Sequence, residues 1–266
     1  MKIGVIGQGW VGKPYADWFE AKGHRVTRYA IDPPYNHPWR MDEIRHQCRI
    51  VFIAVPTPTV DGVCILDNVI SALHLIETIA VVKSTMPPGS TRKLQGMFPE
   101  IIVMYAPEFL REAQAMHDVE SPERTIIGIT SPKYRNIANY IFSVMPPAKY
   151  RNVCHAETAE LTKYAGNVFL TMKVLFANML YDLSKAEGIS YETLRQNLMM
   201  DTRIGESHLQ VIHSGGRGAG GHCFPKDFDA FIHYYEKSCG MDKNMSKALN
   251  LMQDFNNTLL HTYPKA

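Results

Sequence analysis

Short runs of apolar residues alternate with longer amphipathic stretches through the first half of the chain. Six of the runs have the length of a strand and are rich in β-branched or aromatic residues: 2–6, 25–31, 50–55, 79–85, 101–106 and 125–129. The stretches between several of them, such as residues 13–23, suit a helix. Near-continuous apolar strands joined by crossover helices are typical of a mostly parallel sheet covered on both faces. The pattern therefore predicts a doubly wound α/β domain over residues 1–152.

After residues 143–152 the apolar residues recur with the period of a helix. Two consecutive prolines within this stretch interrupt any helix, and a last short strand can follow them. Apolar residues then recur every three or four positions, at Leu161, Ala165, Val168, Met172, Leu175, Met179 and Leu183. We predict one long helix over residues 156–187, about 45 Å in length and ended by Gly188. Helical segments resume at 190–200, 226–240 and 244–263, so residues 153–266 are predicted to form an all-helical domain with a long central helix.

The composition of the chain limits the kinds of partner that we expect it to bind. The 266 residues are 45% hydrophobic and 20% charged, and 28 basic against 26 acidic residues give a net charge of +2. Without a long basic run we expect no nucleic-acid partner. Because no stretch approaches the ~20 apolar residues that span a bilayer, and no export segment is visible, we expect no membrane partner. The five scattered cysteines lack a C-x-x-C pair, which favours a reducing compartment and hence the cytoplasm.

A glycine motif follows the first predicted strand. Gly7, Gly9 and Gly12 have G-x-G-x-x-G spacing, with Trp10 and Val11 between the last two, and the next residues start a helix. Such a turn lets the N–H groups of a helix N-terminus meet a pyrophosphate, as in a Rossmann-type dinucleotide site. The order of strand, glycines, helix and second strand satisfies the motif's structural context. We therefore predict that these five residues bind a dinucleotide.

The choice of dinucleotide depends on the end of the second strand. A carboxylate for the ribose hydroxyls is expected near residue 30, but that residue is Ala30 and the first carboxylate is Asp32. Arg28 lies nearby, and an arginine at this place accommodates a 2′-phosphate. We expect NAD, with Asp32 on the ribose, and leave NADP open.

A single thiol follows a glycine-rich segment in the second half. Five glycines within residues 215–221 precede Cys223, and His222, Lys226 and Asp227 surround it. The polar neighbours favour a thiolate, whereas a free cysteine is more often a small buried hydrophobe. The other alternative is a metal site, whose ligands would be His208, His213, His222 and Cys223. The spacings of these residues fit no standard zinc signature, so we predict no metal.

Charged residues in two other places could carry chemistry. Lys163 and Asn167 are four residues apart and share one side of the long helix, with Glu160 one turn earlier. Spacing alone favours a solvated helix face with a Glu–Lys pair. Glu108 and Glu112 follow a strand end, where doubly wound sheets bind ligands, although most loop carboxylates are only solvated.

Eight motifs occur in chain order: GQGWVG, VFIAVPTP, VVKSTMPPGST, YAPEFLREAQAMHD, PERTIIG, AELTKYAGNVFLTMK, DTRIG and GAGGHCFPKD. On these motifs the chain resembles the UDP-glucose/GDP-mannose 6-dehydrogenase family, and it is closest to the members that oxidise UDP-glucose. The first motif is generic, but PEFLRE, AELTKYAGN and GGHCFPKD are specific to the family.

The resemblance implies an NAD-dependent, two-step oxidation of a nucleotide sugar, in which the C6 alcohol becomes a carboxylate, as from UDP-glucose to UDP-glucuronate. Cys223 would attack the aldehyde to give a thiohemiacetal and, after the second hydride transfer, a thioester. A cysteine suits this step because its thiolate is intrinsically very nucleophilic. The glycines would let backbone approach the sugar while the thiol reaches its terminal carbon.

The resemblance also implies roles for the charged residues. Lys163 and Asn167 would stabilise the oxyanion, which explains their shared helix face. Asp227, with Thr85 and an ordered water, would assist proton transfer, and Glu108 would activate the water that hydrolyses the thioester.

Further contacts follow from the same resemblance. Residues expected to position the substrate are Glu112, Arg203, Gly220 and Lys226. Residues expected to line the cofactor beyond the glycine motif are Pro56, Thr57 and Thr85. The long helix matches the central helix through which subunits of the family usually dimerise, so we expect a homodimer.

The sequence departs from the family in two further respects. We expect no counterpart of the family's C-terminal α/β domain, which supplies much of the nucleotide recognition, after the helical segments. The usual GFGG reads GAGG, with Ala219 for Phe, and His222 replaces a small residue before Cys223. Two alternatives therefore stay open: a non-catalytic or partner-dependent dinucleotide-binding protein, and a dehydrogenase of a different sugar.

Overall fold

A computed structural model of the chain describes residues 1–213, 215–239 and 243–262. The chain forms two compact units, Met1–Pro58 with Cys64–Lys163, and Thr59–Val63 with Tyr164–Ala266. The division at residue 152 that the sequence suggests stays a prediction.

The elements follow the alternation of the sequence pattern. In chain order they are β1 (Lys2–Ile6), α1 (Gly12–Ala21), β2 (Arg25–Tyr29), α2 (Pro38–Gln47), β3 (Ile50–Ile53), β4 (Thr59–Val60), β5 (Val63–Cys64), α3 (Asp67–Leu73), β6 (Ile79–Val82), α4 (Ser90–Met97), β7 (Ile102–Tyr105), α5 (Ala115–Glu120), β8 (Arg124–Ile129), α6 (Arg135–Val144), β9 (Tyr150–His155), α7 (Ala156–Ala186), α8 (Tyr191–Met199), α9 (Phe224–Cys239) and α10 (Lys243–Thr262). Single 3₁₀ turns occur at Glu112–Gln114 and Pro132–Tyr134.

Seven of the strands form one sheet, in the order β2-β1-β3-β6-β7-β8-β9. All neighbours are parallel except β7 and β8, which are antiparallel and pair at Tyr105 and Gly128. The order runs outward in both directions from β1 and β3, as expected of a doubly wound sheet. The predicted fold class is therefore confirmed.

The sheet has a core on each face, which explains why its strands read as continuous apolar runs. On one face Ile3 and Phe52 belong to a buried cluster with residues of α1, α5 and α6. On the other face Ile6 and Ile53 belong to a second cluster with residues of α2, α3 and α4. Full burial of side chains of this size contributes roughly 1.5–3 kcal/mol each, so both faces fix the register of the strands.

The predicted long helix is confirmed as α7, which ends two residues before Gly188. Gly188 takes a left-handed backbone at φ 67°, a conformation that stops a helix and favours glycine. Within the second unit, Val168 of α7 packs with Phe228 and Ile232 of α9 and Leu249 of α10. A smaller cluster joins Ala177 of α7 to the segment after α8 and is completed by Leu209 and Val211.

The two-residue strands β4 and β5 were not predicted, although their turn has a sequence signal. Asp61 and Gly62 connect them with φ of 49° and 74°, and Asp-Gly is a favoured pair for such a hairpin turn. The N–H of Gly62 donates to Asp229 of α9 over 3.1 Å. A Cβ at Gly62 would lie 2.9 Å from the Cβ of His233, so only glycine allows this approach.

Candidate active site

The turn between β1 and α1 is shaped by its three glycines. Gly7 has φ 92°, and a Cβ there would lie 2.1 Å from the carbonyl oxygen of Ala54. A Cβ on Gly12 would lie 1.9 Å from the carbonyl oxygen of Gly7, whereas one on Gly9 would meet nothing within 4 Å. The first and third glycines thus close the turn, and the second leaves its backbone open. Open backbone before a helix N-terminus fits a dinucleotide pyrophosphate.

The side chains of this turn and of β2 bear on the choice of dinucleotide. Trp10 is exposed, Val11 is half-buried, and Asp32 is exposed beyond the end of β2. Arg28 lies 2.6 Å from Asp17 and 2.7 Å from Glu20. Burial opposes the charge of Arg28, yet hydrogen bonds to Glu20 and Asp17 raise its pKa above the usual range. Because two carboxylates already bind this guanidinium, the geometry favours NAD over NADP.

The loops after β3 and β6 contain the other predicted cofactor contacts, and hydrogen bonds join them. The hydroxyl of Thr57 donates to the carbonyl of Thr85 over 2.8 Å. Ser84 donates to the carbonyl of Val55 over 2.7 Å and accepts the N–H of the same residue. Pro56 accepts a hydrogen bond from the side chain of Asn68 over 2.9 Å. The structure therefore brings Pro56, Thr57 and Thr85 together at the carboxyl ends of adjacent strands.

Glu108 and Lys163 form a buried ion pair. Their side chains are 8% and 5% exposed, and the ammonium lies 2.7 Å from the carboxylate. The second oxygen of Glu108 accepts the N–H of Leu110 over 2.7 Å. Removal from water makes each charge depend on the other. The solvated-face alternative is therefore wrong for Lys163, which is buried and faces the end of β7.

Glu160 is also buried, but it does not pair with Lys163 as helix spacing suggested. Its carboxylate accepts the N–H of Gly89 and the N–H of Thr91, each over 2.7 Å, and the hydroxyl of Thr91 over 2.6 Å. Burial raises the pKa of Glu160 to about 7, against the effect of these hydrogen bonds. Glu160 thereby caps α4 and fixes the loop that contains Thr85.

Lys83 is a buried cation that sequence reasoning did not select. It is 1% exposed, donates to the carbonyl of Ala106 over 3.0 Å, and lies 4.0 Å from the ring centroid of Tyr15. Burial lowers the pKa of Lys83 to about 7, the charge of Glu108 opposes this, and the charge of Lys163 adds to it. Lys83 therefore connects β6, β7 and α1 around Glu108. Its sequence signals were a charge at the end of an apolar strand and its place in the motif VVKSTMPPGST.

In the second unit the structure brings Asn167, Lys226 and Asp227 together. Asp227 is fully buried; it accepts the amide of Asn167 and the ammonium of Lys226, each over 2.6 Å. The carbonyl of Lys226 accepts the hydroxyl of Thr59 over 3.0 Å. These bonds hold the first turn of α9 in one orientation.

Cys223 immediately precedes α9 and is exposed, so the buried-hydrophobe alternative is wrong for this residue. Its carbonyl accepts the N–H of Asp227 over 3.0 Å, the first bond of the helix. A thiol at a helix N-terminus is in a position that favours the thiolate. Gly218 and Gly221 of the preceding segment have φ of 86° and 81°, and Gly220 between them is half-buried.

The two remaining substrate candidates lie at the surface. Glu112 is exposed and starts a 3₁₀ turn. Arg203 is exposed, and its guanidinium lies 2.6 Å from Asp201. Within residues 1–213, 215–239 and 243–262, no group of three or more His, Cys, Asp or Glu side chains could hold a metal ion.

Two family models match the chain. The NAD binding domain of the UDP-glucose/GDP-mannose dehydrogenase family matches residues 35–145, and the central domain of the same family matches residues 157–257.

Curated relatives and solved structures agree with these matches. A UDP-glucose 6-dehydrogenase of Rickettsia typhi is 32% identical over 94% of this chain and 67% of its own length. UDP-glucose 6-dehydrogenase YwqF of Bacillus subtilis is 30% identical over 87% of this chain, which spans only 61% of that relative. A UDP-glucose dehydrogenase of Pyrobaculum islandicum superposes with a TM-score of 0.81 at 30% identity, over 96% of this chain and 68% of its own. Among the described residues, every helix is too short or too polar to cross a bilayer.

Proposed function

Because the chain belongs to the UDP-glucose/GDP-mannose dehydrogenase family, we propose that it oxidises the C6 alcohol of a nucleotide sugar to a carboxylate. One observation carries the proposal: the exposed Cys223 immediately precedes α9, four residues before the buried Asp227, whose carboxylate binds the amide of Asn167. A nucleophile next to a held carboxylate and an amide donor is what an aldehyde-to-acid oxidation requires. The sugar is proposed to be of the UDP-glucose type.

Residues 35–145 match the NAD binding domain of this family. NAD held there would supply the hydride acceptor for both oxidations. Residues proposed to hold it are Gly7, Gly9, Trp10, Val11 and Gly12 at the pyrophosphate, Asp32 at the ribose, and Pro56, Thr57 and Thr85 in the adjoining loops. The glycine turn fits because the backbone around Gly9 is open.

In the first oxidation the C6 hydroxyl loses a proton and C6 loses a hydride, which gives the aldehyde. Asp227, with Thr85 and an ordered water, is proposed to take the proton. Lys163 and Asn167 are proposed to stabilise the negative charge on the oxygen. Asp227 fits the role of acceptor because it is held by two donors and keeps its orientation.

In the second oxidation the Cys223 thiolate forms a C–S bond to the aldehyde carbon, and the carbonyl oxygen takes a proton. Loss of that proton and of a second hydride converts the thiohemiacetal to a thioester. Glu108 is proposed to accept a proton from the water that attacks the thioester, so that the C–S bond breaks and the carboxylate leaves. In total the sugar loses four electrons as two hydrides, and the thiolate is regenerated.

The substrate contacts are proposed from the family motifs. Glu112, Arg203, Gly220 and Lys226 would position the nucleotide sugar. Lys226 is held by its salt bridge to Asp227, 2.6 Å away. Arg203 is bound to Asp201 at the surface, so substrate would have to compete with that carboxylate.

We propose that a second copy of the chain covers one face of α7. Phe169, Phe176, Met179 and Leu183 are each about half exposed or more, and at 100° per residue they lie on one stripe of the helix. An exposed apolar stripe of this kind indicates an interface. Sedimentation velocity should find dimers for the wild type and monomers for Phe176→Glu. Lys185→Glu places a carboxylate on the opposite side of α7 and should leave the dimer intact. Dimers in both variants would contradict the proposal.

The compartment is proposed to be the cytoplasm. The five cysteines form no disulfide with one another in the part of the chain that the structure describes, and a protein that must keep a reactive thiolate suits a reducing environment. The measurement is the fraction of reduced Cys223 in cell extracts quenched with an alkylating agent, and a largely oxidised thiol would contradict the proposal.

The stoichiometry of NADH tests the chemistry. Purified wild type with UDP-glucose should form two NADH per sugar, and Cys223→Ser should fail to complete the second oxidation. Cys239→Ser removes the other exposed thiol and should match wild type. NAD binding by calorimetry without turnover of UDP-, GDP- or free sugars would favour a partner-dependent dinucleotide-binding protein. Turnover of other sugars alone would favour a different substrate.

A further inference from the structure

The glycine segment before Cys223 is held in place by a buried amide from another part of the chain. The side-chain oxygen of Asn256 accepts the N–H of Ala219 over 2.8 Å, and its nitrogen donates to the carbonyl of Ala219 over 3.0 Å. Asn256 is 2% exposed and Ala219 is 1% exposed. One side chain of α10 therefore satisfies both backbone groups of a residue four positions before the thiol.

This arrangement requires an asparagine. A primary amide has an acceptor and a donor side by side, so it can pair with the N–H and the carbonyl of one residue at once. The adjacent glycine makes the close approach possible: a Cβ on Gly218 would lie 3.2 Å from the Asn256 oxygen and 3.1 Å from the Cβ of Leu259. The glycine segment thus packs closely against α10 at Gly218 and Ala219.

A second contact holds the same segment to α7. The guanidinium of Arg217 donates to the side-chain oxygen of Asn178 over 2.9 Å and lies 2.7 Å from Asp182. It also lies 4.9 Å from the ring of Tyr181. Residues 217–219 are therefore fixed between two helices, whereas glycines left to themselves are the most mobile residues of a chain. Such a fixed backbone provides the precision that a nucleophile needs.

We propose that Asn256 is a positioning residue for the thiol, which acts through the backbone of Ala219 to hold the glycine segment that precedes Cys223. The proposal rests on the proposed function only in taking Cys223 as the nucleophile. Asn256 does not take part in the chemistry. Its loss should slow the step that uses the thiol, because small errors in the placement of a reacting group cost large factors in rate.

Amide hydrogen exchange of the peptide covering residues 215–223 tests the structural half of the proposal without any substrate. Asn256→Ala should speed exchange there by about tenfold or more, with exchange in the middle of α7 unchanged. Asn256→Asp opens no cavity, but it loses the donor and turns a carboxylate oxygen toward the carbonyl of Ala219. It should therefore speed exchange at 215–223 at least as much as alanine does, and it tests the contact even if the alanine variant fails to fold. Asn250→Ala is the matched control, because Asn250 lies on the same helix and bonds to Glu236 at the surface.

The rates of the two hydride transfers test the functional half. In single-turnover experiments Asn256→Ala should slow formation of the second NADH by roughly tenfold or more, with the affinity for NAD unchanged. Exchange at 215–223 within twofold of the Asn250→Ala control would overturn the proposal. Faster exchange with an unaltered second hydride rate would also overturn it. If the wild type itself does not turn over, the proposed function fails, and the exchange result still decides whether Asn256 holds the segment.

Discussion

Glu108 and Glu160 are both buried carboxylates of the first unit, and their partners differ in charge. Glu108 lies 2.7 Å from the ammonium of Lys163, with the buried Lys83 as a second cation coupled to it. Glu160 accepts three hydrogen bonds from Gly89 and Thr91 and none of them comes from a cation. The burial of the two carboxylates is therefore compensated in different ways.

The consequence is a difference in what each carboxylate can do. The ammonium of Lys163 compensates the burial of the Glu108 carboxylate. Hydrogen bonds from neutral donors compensate burial only in part, and the pKa of Glu160 rises to about 7. Burial alone therefore does not mark a residue for chemistry; the charge of its partner does. Glu108 fits a proton acceptor, whereas Glu160 fits a cap on α4.

The largest expected effect comes from breaking the ion pair. Lys163→Met leaves Glu108 buried without its counter-ion and should destabilise the protein by about 3–5 kcal/mol. Adding Glu108→Gln should restore much of that loss, because the uncompensated charge disappears. Urea unfolding of the two single variants and the double variant measures the coupling. A double variant less stable than Lys163→Met alone would show that the pair does not depend on mutual compensation.

Neutralising the other carboxylate should change the pH dependence of stability. The pKa of Glu160 is raised by burial from 4.5 to about 7, so the folded state binds more protons than the unfolded state between these values. Stability should then fall as pH rises from 4.5 to 7, by roughly 3 kcal/mol, and level off above 7. Glu160→Gln should remove this part of the fall. Melting temperatures across that window measure it, and an unchanged slope in the variant would assign the fall to other groups.

Features that depend on a single element could be predicted from the sequence, whereas features that depend on how elements pair could not. Strands β1 and β3 and helix α7 were predicted because their periodicity records burial along one element. The antiparallel pairing of β8 was not, since a strand buried on both faces has the same pattern in either direction. The family motifs selected Glu108 and Lys163 as single residues.

The partners of Glu108 and Glu160 could not be deduced, because each carboxylate lies far along the chain from the residue that it contacts. Glu108 and Lys163 are 55 positions apart, and Glu160 is 69 from Thr91. Local spacing suggested a surface pair of Glu160 with Lys163, whereas tertiary packing gives each of them a different partner. Lys83 lies within a family motif that pointed to Thr85 and not to the lysine, and Asn256 lies in no motif. Their importance comes from the backbone carbonyls and N–H groups that they contact.

The smallest expected effect removes one of the neutral donors to Glu160. Thr91→Val keeps the shape of a fully buried side chain but loses the hydroxyl that lies 2.6 Å from the carboxylate. The loss should be about 1–2 kcal/mol above pH 7, where Glu160 is ionised, and smaller below pH 4.5, because hydrogen bonds to charged groups are the stronger ones. Thr57→Val is the matched control, since that buried hydroxyl donates to the neutral carbonyl of Thr85 and its loss should not vary with pH. Thermal melting of both variants in the two pH ranges makes the comparison, and equal pH dependence in both would mean that Glu160 does not ionise in the folded protein.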